Sequence, residues 1–444
     1  MIRAYARVKQ AAALANARLG LLPRAWARAI VWAANRVAEG TVPDAAVLDA
    51  FQAGAGTPIH MNVNEVIANL ANERLGGRRG RWVPIHPNNH VNLAQSSNDV
   101  TPTAIRLMAL ELLPALHGEL RELERALARL ARRERAVVKV GRTHLQDAVP
   151  ITYGQVFAGW AEAIRGADGA LRTTEAELRV VGLGGTAVGT GLTAHPRFRV
   201  LVIRELSRIT GLRLRPAPST VTATWSLRPL VACSGALRGL AVDLGKICFD
   251  LRLLASGPGA GLGELILPEV EPGSSIMPGK VNPSVAEAVQ MVCFQVSGND
   301  HAIALAAGAG ELELNVMTPL VATNLAESLE LLTRATRLLR TRCIAGLRVD
   351  RARVRALLAR SHAEATALSP YLGYDMTAEV VKQAQARSTT IPDVVLAHGL
   401  MAPAALARLL TPRALTGPRA TDRALRRRVQ ASPAYQAFRA TFLR

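Results

Sequence analysis

Aromatic side chains are scarce in this chain: Phe, Trp and Tyr make up only 4% of its 444 residues. Aromatic and β-branched residues favour strands, whereas leucine and alanine favour helix. A core built from Leu, Ala and Val therefore points to an α protein. Cysteine is scarcer still. Cys233, Cys248, Cys293 and Cys343 are far apart and form no C-x-x-C pair, which excludes a disulfide-stapled scaffold and leaves them as small core residues in a reducing cytoplasm. No uncharged apolar run reaches the ~20 residues of a membrane helix, and no secretory signal opens the chain, so no membrane partner is expected. Acidic residues are in deficit, with 34 Asp+Glu against 54 Lys+Arg and a net charge of +20. The excess is arginine spread along the chain, without an RNP, zinc-finger or helix-turn-helix signature. No nucleic-acid partner is expected, whereas anionic small substrates suit such a charge.

What the chain does have is length, apolar content (49%) and helical period. Leucines 116, 120, 123, 127 and 130 recur at alternating steps of four and three, as do Leu237, Leu240, Leu244, Ile247, Leu251 and Leu254. Each series is a seam that buries one stripe of a long helix. Further long helices are expected over Val156–Leu178, 284–309 and Leu320–Leu339. Several long seams imply a helix bundle, with packing across subunits. A three-part division follows: an N-terminal helical part over 1–95, a central long-helix bundle over 96–345, and a small C-terminal helical part over 346–444. Residues 412–444 read as a loosely attached, arginine-rich helical extension.

The joints between helices hold the polar residues. "GAGTPIHMNVNEV" places Thr57 after two glycines, at a simple helix start. "QSSNDVTPT" packs Ser96, Ser97 and Asn98 ahead of a helix; these groups can ligate a carboxylate or merely cap. Pro102 and Pro283 fit first helical positions, with Thr101 and Asn282 as N-caps. Helix starts of this kind favour anions. "GRTHLQDAVP", read as a polar joint between long helices, offers Thr143 and His144, a candidate binding pair or acid/base. "GLGGTAVGTG" has no preceding strand and lacks G-x-G-x-x-G spacing, so it reads as a helix–helix turn rather than a nucleotide loop. "GSSIMPGKVNPS" pairs Ser274 and Ser275 with Lys280 and Asn282 between two glycines able to hinge. Neither a G-x-S-x-G elbow nor a nearby Asp–His set supports a hydrolase. A serine there can still act as a base if lysine and backbone amides stabilise its alkoxide.

Taken together, these segments resemble the fumarase/aspartase superfamily, in its class II fumarase and aspartate ammonia-lyase branch. The resemblance runs from "VKQAAALANARLGLL" to "GYDMTAEVVKQA", with "GSSIMPGKVNP" as the signature and "QSSND", "GRTHLQDAVP" and "GGTAVGTGL" as its companions in order. It implies an all-α, L-aspartase-like fold and a homotetramer whose central helices form one bundle, with active sites shared between subunits. It also implies a small dicarboxylate substrate, anti elimination to fumarate, and no metal or organic cofactor. By the same resemblance Ser274 is the base, Lys280 and Asn282 bind carboxylates, Thr57 and Ser96–Asn98 form further substrate segments, Thr143 and His144 another, and Glu287 orients the histidine. The chain departs from the pattern at Thr193 (usually Asn), Gly259 (usually Arg) and Phe249 (usually Asn), and its N-terminal part is expected to be truncated. "QSSND" and "GELILPEVEPGSS" lean towards fumarate hydratase. "GAGT", "DLRLLASGP" and "GELELNVMTP" lean towards aspartate ammonia-lyase, the favoured expectation. A lyase-like scaffold without activity is the reading from a different class.

Overall fold

The computed structural model describes residues 1–42, 47–273 and 275–442. Helices dominate: α1 (Ile2–Arg18), α2 (Arg24–Ala38), α3 (Thr57–Arg74), α4 (Ser97–Arg133), α5 (Tyr153–Leu178), α6 (Phe198–Thr210), α7 (Thr220–Trp225), α8 (Arg228–Leu254), α9 (Ser284–Gly308) and α10 (Thr318–Arg342), then a run of shorter helices to Phe442. The fold is all-α. Among the described residues, strands form only three two-stranded ladders: β1 (Val138–Thr143) with β2 (Gln146–Thr152), β3 (Val180–Val181) with β4 (Arg215–Pro216), and β5 (Leu265–Ile266) with β6 (Arg348–Val349). No helix among them is long and apolar enough to cross a membrane.

The leucine seams are buried as their period requires, the five on α4 and the six positions on α8 alike. Burying each such side chain contributes about 1.5–3 kcal/mol. All four cysteines are buried, and no disulfide joins them. The chain packs as two compact units. The first comprises Met1–Arg121, Ile164–Lys246 and Ala288–Arg337; the second comprises Glu122–Ala163, Ile247–Glu287 and Leu338–Arg444. In the first, α1 packs on α2 and α6, and α2 on α3. In the second, β1 packs against helix Arg351–Arg360.

Local structure departs from the sequence reading in five places. Pro102 is not a first helical residue: α4 starts at Ser97 and takes Pro102 inside it. The N–H that proline lacks would have gone to the Asn98 carbonyl. At α9 the helix opens at Ser284, so Pro283 rather than Asn282 directly precedes it. "GRTHLQDAVP" is a β-hairpin, and "GLGGTAVGTG" follows a two-residue strand after all, Val180–Val181, paired with Arg215–Pro216. The C-terminal extension is not loosely attached. Leu425, Val429, Tyr435 and Phe438 join a buried cluster with Leu368, Tyr371, Leu372 and Val380, and the Tyr435 hydroxyl donates to Leu372 O at 2.8 Å. Helical period turns Leu425 and Val429 inward while Arg423, Arg426, Arg427 and Arg428 stay exposed.

Candidate active site

Candidate residues occur in both units. In the first, Ala55 and Gly56 take left-handed conformations (φ 57° and 67°) and deliver Thr57 to the start of α3. The Thr57 and Ser97 hydroxyls hydrogen-bond at 2.9 Å. Ser96 behaves as a cap: its Oγ accepts from Asn98 N at 3.2 Å, and its own N–H donates to Asp99 Oδ1 at 3.0 Å. The Asn98 side chain donates to Ala187 O at 2.8 Å. The capping reading is thus seen at Ser96. Ser96 caps with one lone pair and keeps its O–H, and Thr57 and Ser97 set two further hydroxyls together at the start of the 37-residue helix α4, where free amides and the helix dipole favour an anion.

Asp99 ties this turn to the glycine-rich segment. Its Oδ2 accepts from Gly184 N at 2.8 Å and Thr186 N at 3.1 Å. Burial pushes its carboxyl up to about 6; the amides of Ser96, Gly184 and Thr186 and the charge on Lys9 oppose that rise. Lys9 and His60 lie beneath the same turn, both buried. Sequence reasoning missed them. The available signal was a lone lysine inside the alanine-rich helical run "VKQAAALANA" and a histidine one turn beyond Thr57.

In the second unit, β1 and β2 close through His144 and Leu145, both left-handed (φ 55° and 60°). That is the two-residue geometry that fits strand twist, and it leaves His144 exposed beside Thr143. Gly141 is obligatory here, because a Cβ would meet Val149 O at 2.4 Å. The alternation of Val138 and Val140, answered by Val149 and Ile151, was the strand signal within this segment. A buried carboxylate anchors the hairpin: Glu264 accepts from Arg142 at 2.6 Å and from the Tyr153 hydroxyl at 2.7 Å, with Lys139 Nζ at 3.4 Å. A cavity of about 790 Å³ opens beside the hairpin, lined by Thr143, Gln146, Asp147, His362, Thr366 and Gln385 among others.

The signature segment lies in the same unit. Ser274 falls outside the described residues. Gly273 (φ 85°) and Gly279 (φ 79°) both take glycine conformations, and a Cβ on Gly273 would strike Lys280 O at 2.5 Å. Lys280 is exposed and Asn282 half-buried, just ahead of α9. Glu287, in the first turn of α9, pairs with Arg252 at 3.5 Å. Among the described residues it makes no hydrogen bond to His144. The structure thus brings Thr57, Ser96, Ser97 and Asn98 together, sets Thr143 and His144 on one hairpin, and sets Lys280, Asn282 and Glu287 on one approach to a helix. Among the described residues no group of three His, Cys, Asp or Glu side chains is placed to hold a metal.

Residues 1–298 match a family model described as "Lyase", and residues 365–417 one described as "Fumarase C C-terminus". The chain is 46% identical over 419 residues to fumarate hydratase class II 2 of Bradyrhizobium diazoefficiens, covering 94% of this chain and 89% of that protein. It is 45% identical over 420 residues to aspartate ammonia-lyase of Pseudomonas canavaninivorans, again covering 94% and 89%. Among solved structures, fumarate lyase:delta crystallin from Brucella melitensis bound to cobalt superposes with a TM-score of 0.91 at 46% identity, over 94% of this chain and 90% of that one. Recombinant class II fumarase from Schistosoma mansoni superposes with a TM-score of 0.89 at 35% identity, over 93% and 89%.

Proposed function

The chain belongs to the fumarase/aspartase superfamily of lyases, and from that premise we propose that it is a cytoplasmic C–N lyase of the aspartate ammonia-lyase type. The substrate is a succinate-type dicarboxylate carrying an amine, and the product is fumarate. Ser274 removes the C3 proton, and the electrons left behind spread into the adjacent carboxylate as an aci-carboxylate. Lys280 and Asn282 hold that charge until its electrons form the C2=C3 double bond as the C2–N bond breaks and the amine departs as ammonia. Thr57, Ser96, Ser97 and Asn98 bind through the α4 start, while Thr143 and His144, with Glu287, complete the constellation. Closure of the loop about Gly273 and Gly279 excludes water during proton abstraction.

One observation carries the choice of ammonia as leaving group. "GAGT" and "ELELNVMTP", the segments of ammonia-lyase type, form one packed piece of the first unit. Ala55 N donates to Val316 O at 2.8 Å, and a Cβ on Gly54 would lie 2.7 Å from Val316 Cβ. Together they set Thr57. Fumarate hydratase is the second reading, favoured by "QSSND" and "GELILPEVEPGSS" and by relatives named class II fumarate hydratase at 46% and 47% identity, against 45% for the ammonia-lyase.

The working form we infer is a homotetramer with shared active sites. Its support is α9, which buries Val289, Cys293, Val296 and Ile303 on one side yet leaves Met291 (64%), Phe294 (70%) and Leu305 (64%) exposed on another. A helix apolar on two sides is built to be covered on both.

The test is to incubate the purified protein with fumarate plus ammonia, and separately with fumarate in water, following loss of fumarate absorbance. Loss only with ammonia supports the ammonia-lyase, and loss without it supports the hydratase. No loss in either arm from a folded protein would sink both.

A further inference from the structure

Helix α1 carries one charge into the interior of the first unit. Lys9 is fully buried, and its Nζ donates to Asn92 Oδ1 and Gln95 Oε1, each at 3.0 Å. Its third contact is His60 Nε2. An ammonium only donates, so the geometry assigns His60 the tautomer with its proton on Nδ1 and its lone pair on Nε2. Three protons then meet three acceptors. Burying an ammonium is costly and persists where every proton is used. Burial draws the Lys9 pKa well down, opposed by the nearby Asp99 charge, and draws His60 down too, with the Lys9 charge adding to it.

Each acceptor sits on backbone that leads to a candidate substrate residue. His60 lies one turn beyond Thr57 on α3. Gln95 immediately precedes Ser96, and its side-chain amide donates to Val91 O and Leu93 O at 3.1 and 3.2 Å. Asn92 donates to Gln95 O at 3.3 Å. Tyr5, on the same face of α1 as Lys9, stacks on the His60 ring and donates to Thr101 Oγ1 at 2.8 Å. On its other side the turn is held by Asp99, which accepts the Ser96 N–H. An ammonium grips the residues leading into the turn, and the carboxylate of Asp99, which follows the turn, accepts the N–H of its first residue.

We propose that Lys9 is a positioning residue for the dicarboxylate subsite: it locks Thr57 and the Ser96–Asn98 turn against each other and supplies positive charge beneath them. The inference rests on the lyase reading above. Because Lys9 does not touch the reacting atoms, its loss weakens ground state and transition state alike.

The experiment uses Lys9→Met in the full-length assembled protein, a change that keeps length and removes donors and charge. KM for the dicarboxylate is expected to rise about tenfold or more, with kcat within about threefold. Affinity for succinate, a non-reacting dicarboxylate, falls by the same factor. Hydrogen exchange at the Ser96 and Asn98 amides is expected to quicken about tenfold, with the α8 core unchanged. A folded variant with unchanged succinate affinity and exchange overturns the proposal, as does a fall in kcat at constant KM. If the wild-type chain binds no succinate, the lyase reading falls, and the exchange arm alone decides: faster exchange supports the clamp and unchanged exchange overturns it. If Lys9→Met does not fold, Gln95→Met removes one acceptor while keeping the ammonium, and the same readouts apply.

Discussion

At the scale of single residues, Thr193 is the clearest misfit. It holds φ 73°, a left-handed conformation that costs an ordinary L-residue about 1–2 kcal/mol and that asparagine accepts. Thr193→Asn should therefore raise stability by about 1 kcal/mol, read as a higher melting temperature; an unchanged or lower one would remove strain as the explanation. Asp99 gives a pH signature. Its native carboxyl titrates at about 6, above its ordinary value of 3.8, so the native state keeps a proton that the unfolded chain has released. Stability from this group is full below 3.8 and falls as pH rises towards 6, by about 3 kcal/mol in total. The melting temperature of the wild type should decline across that window relative to Asp99→Asn; parallel profiles would refute the assignment. The contacts of Asp99 and Lys9 were not legible, because their partners lie 85 and 86 positions away in sequence. Ser97, Thr143 and Lys280 stood out as candidates because their segments are polar interruptions in apolar helical patterns, whereas Thr57 read by itself as a simple helix start.

At the scale of elements, period was legible and brevity was not. The leucine series on α4 and α8 extend over several turns, so the seam emerges from the chain alone. The β1–β2 hairpin holds only six and seven residues per strand, and its glycine and its proline looked like a joint. What fixes it is tertiary: Glu264, fully buried, neutralises Arg142 and Lys139 and accepts from Tyr153. Glu264→Gln leaves those cations without their counter-charge and is expected to destabilise the protein by about 3–5 kcal/mol, the usual consequence of breaking a buried pair from one side. The hairpin tip carries Thr143 and His144, so turnover should fall as well. Thermal melting and kcat/KM measured on the same preparation check this; a native-like melt would show that the cluster does not hold the hairpin.

At the scale of the whole molecule, the composition read correctly as all-α, because a core poor in aromatics and rich in Leu and Ala has few other ways to pack. The proposed assembly rests on the uncovered side of α9. Phe294→Glu puts a charge into that stripe and should yield smaller species by light scattering, with activity lost in proportion. A fully active, full-size oligomer would show that this face is not an interface. The exposed stripe also bears on life inside the cell. If a sister chain covers that face as proposed, then while copies are scarce Met291, Phe294 and Leu305 remain wetted, and quality-control machinery meets them first. Synthesis rate then sets not only how much enzyme accumulates but what fraction of the newly made chain survives, so that a modest drop in expression removes more activity than protein.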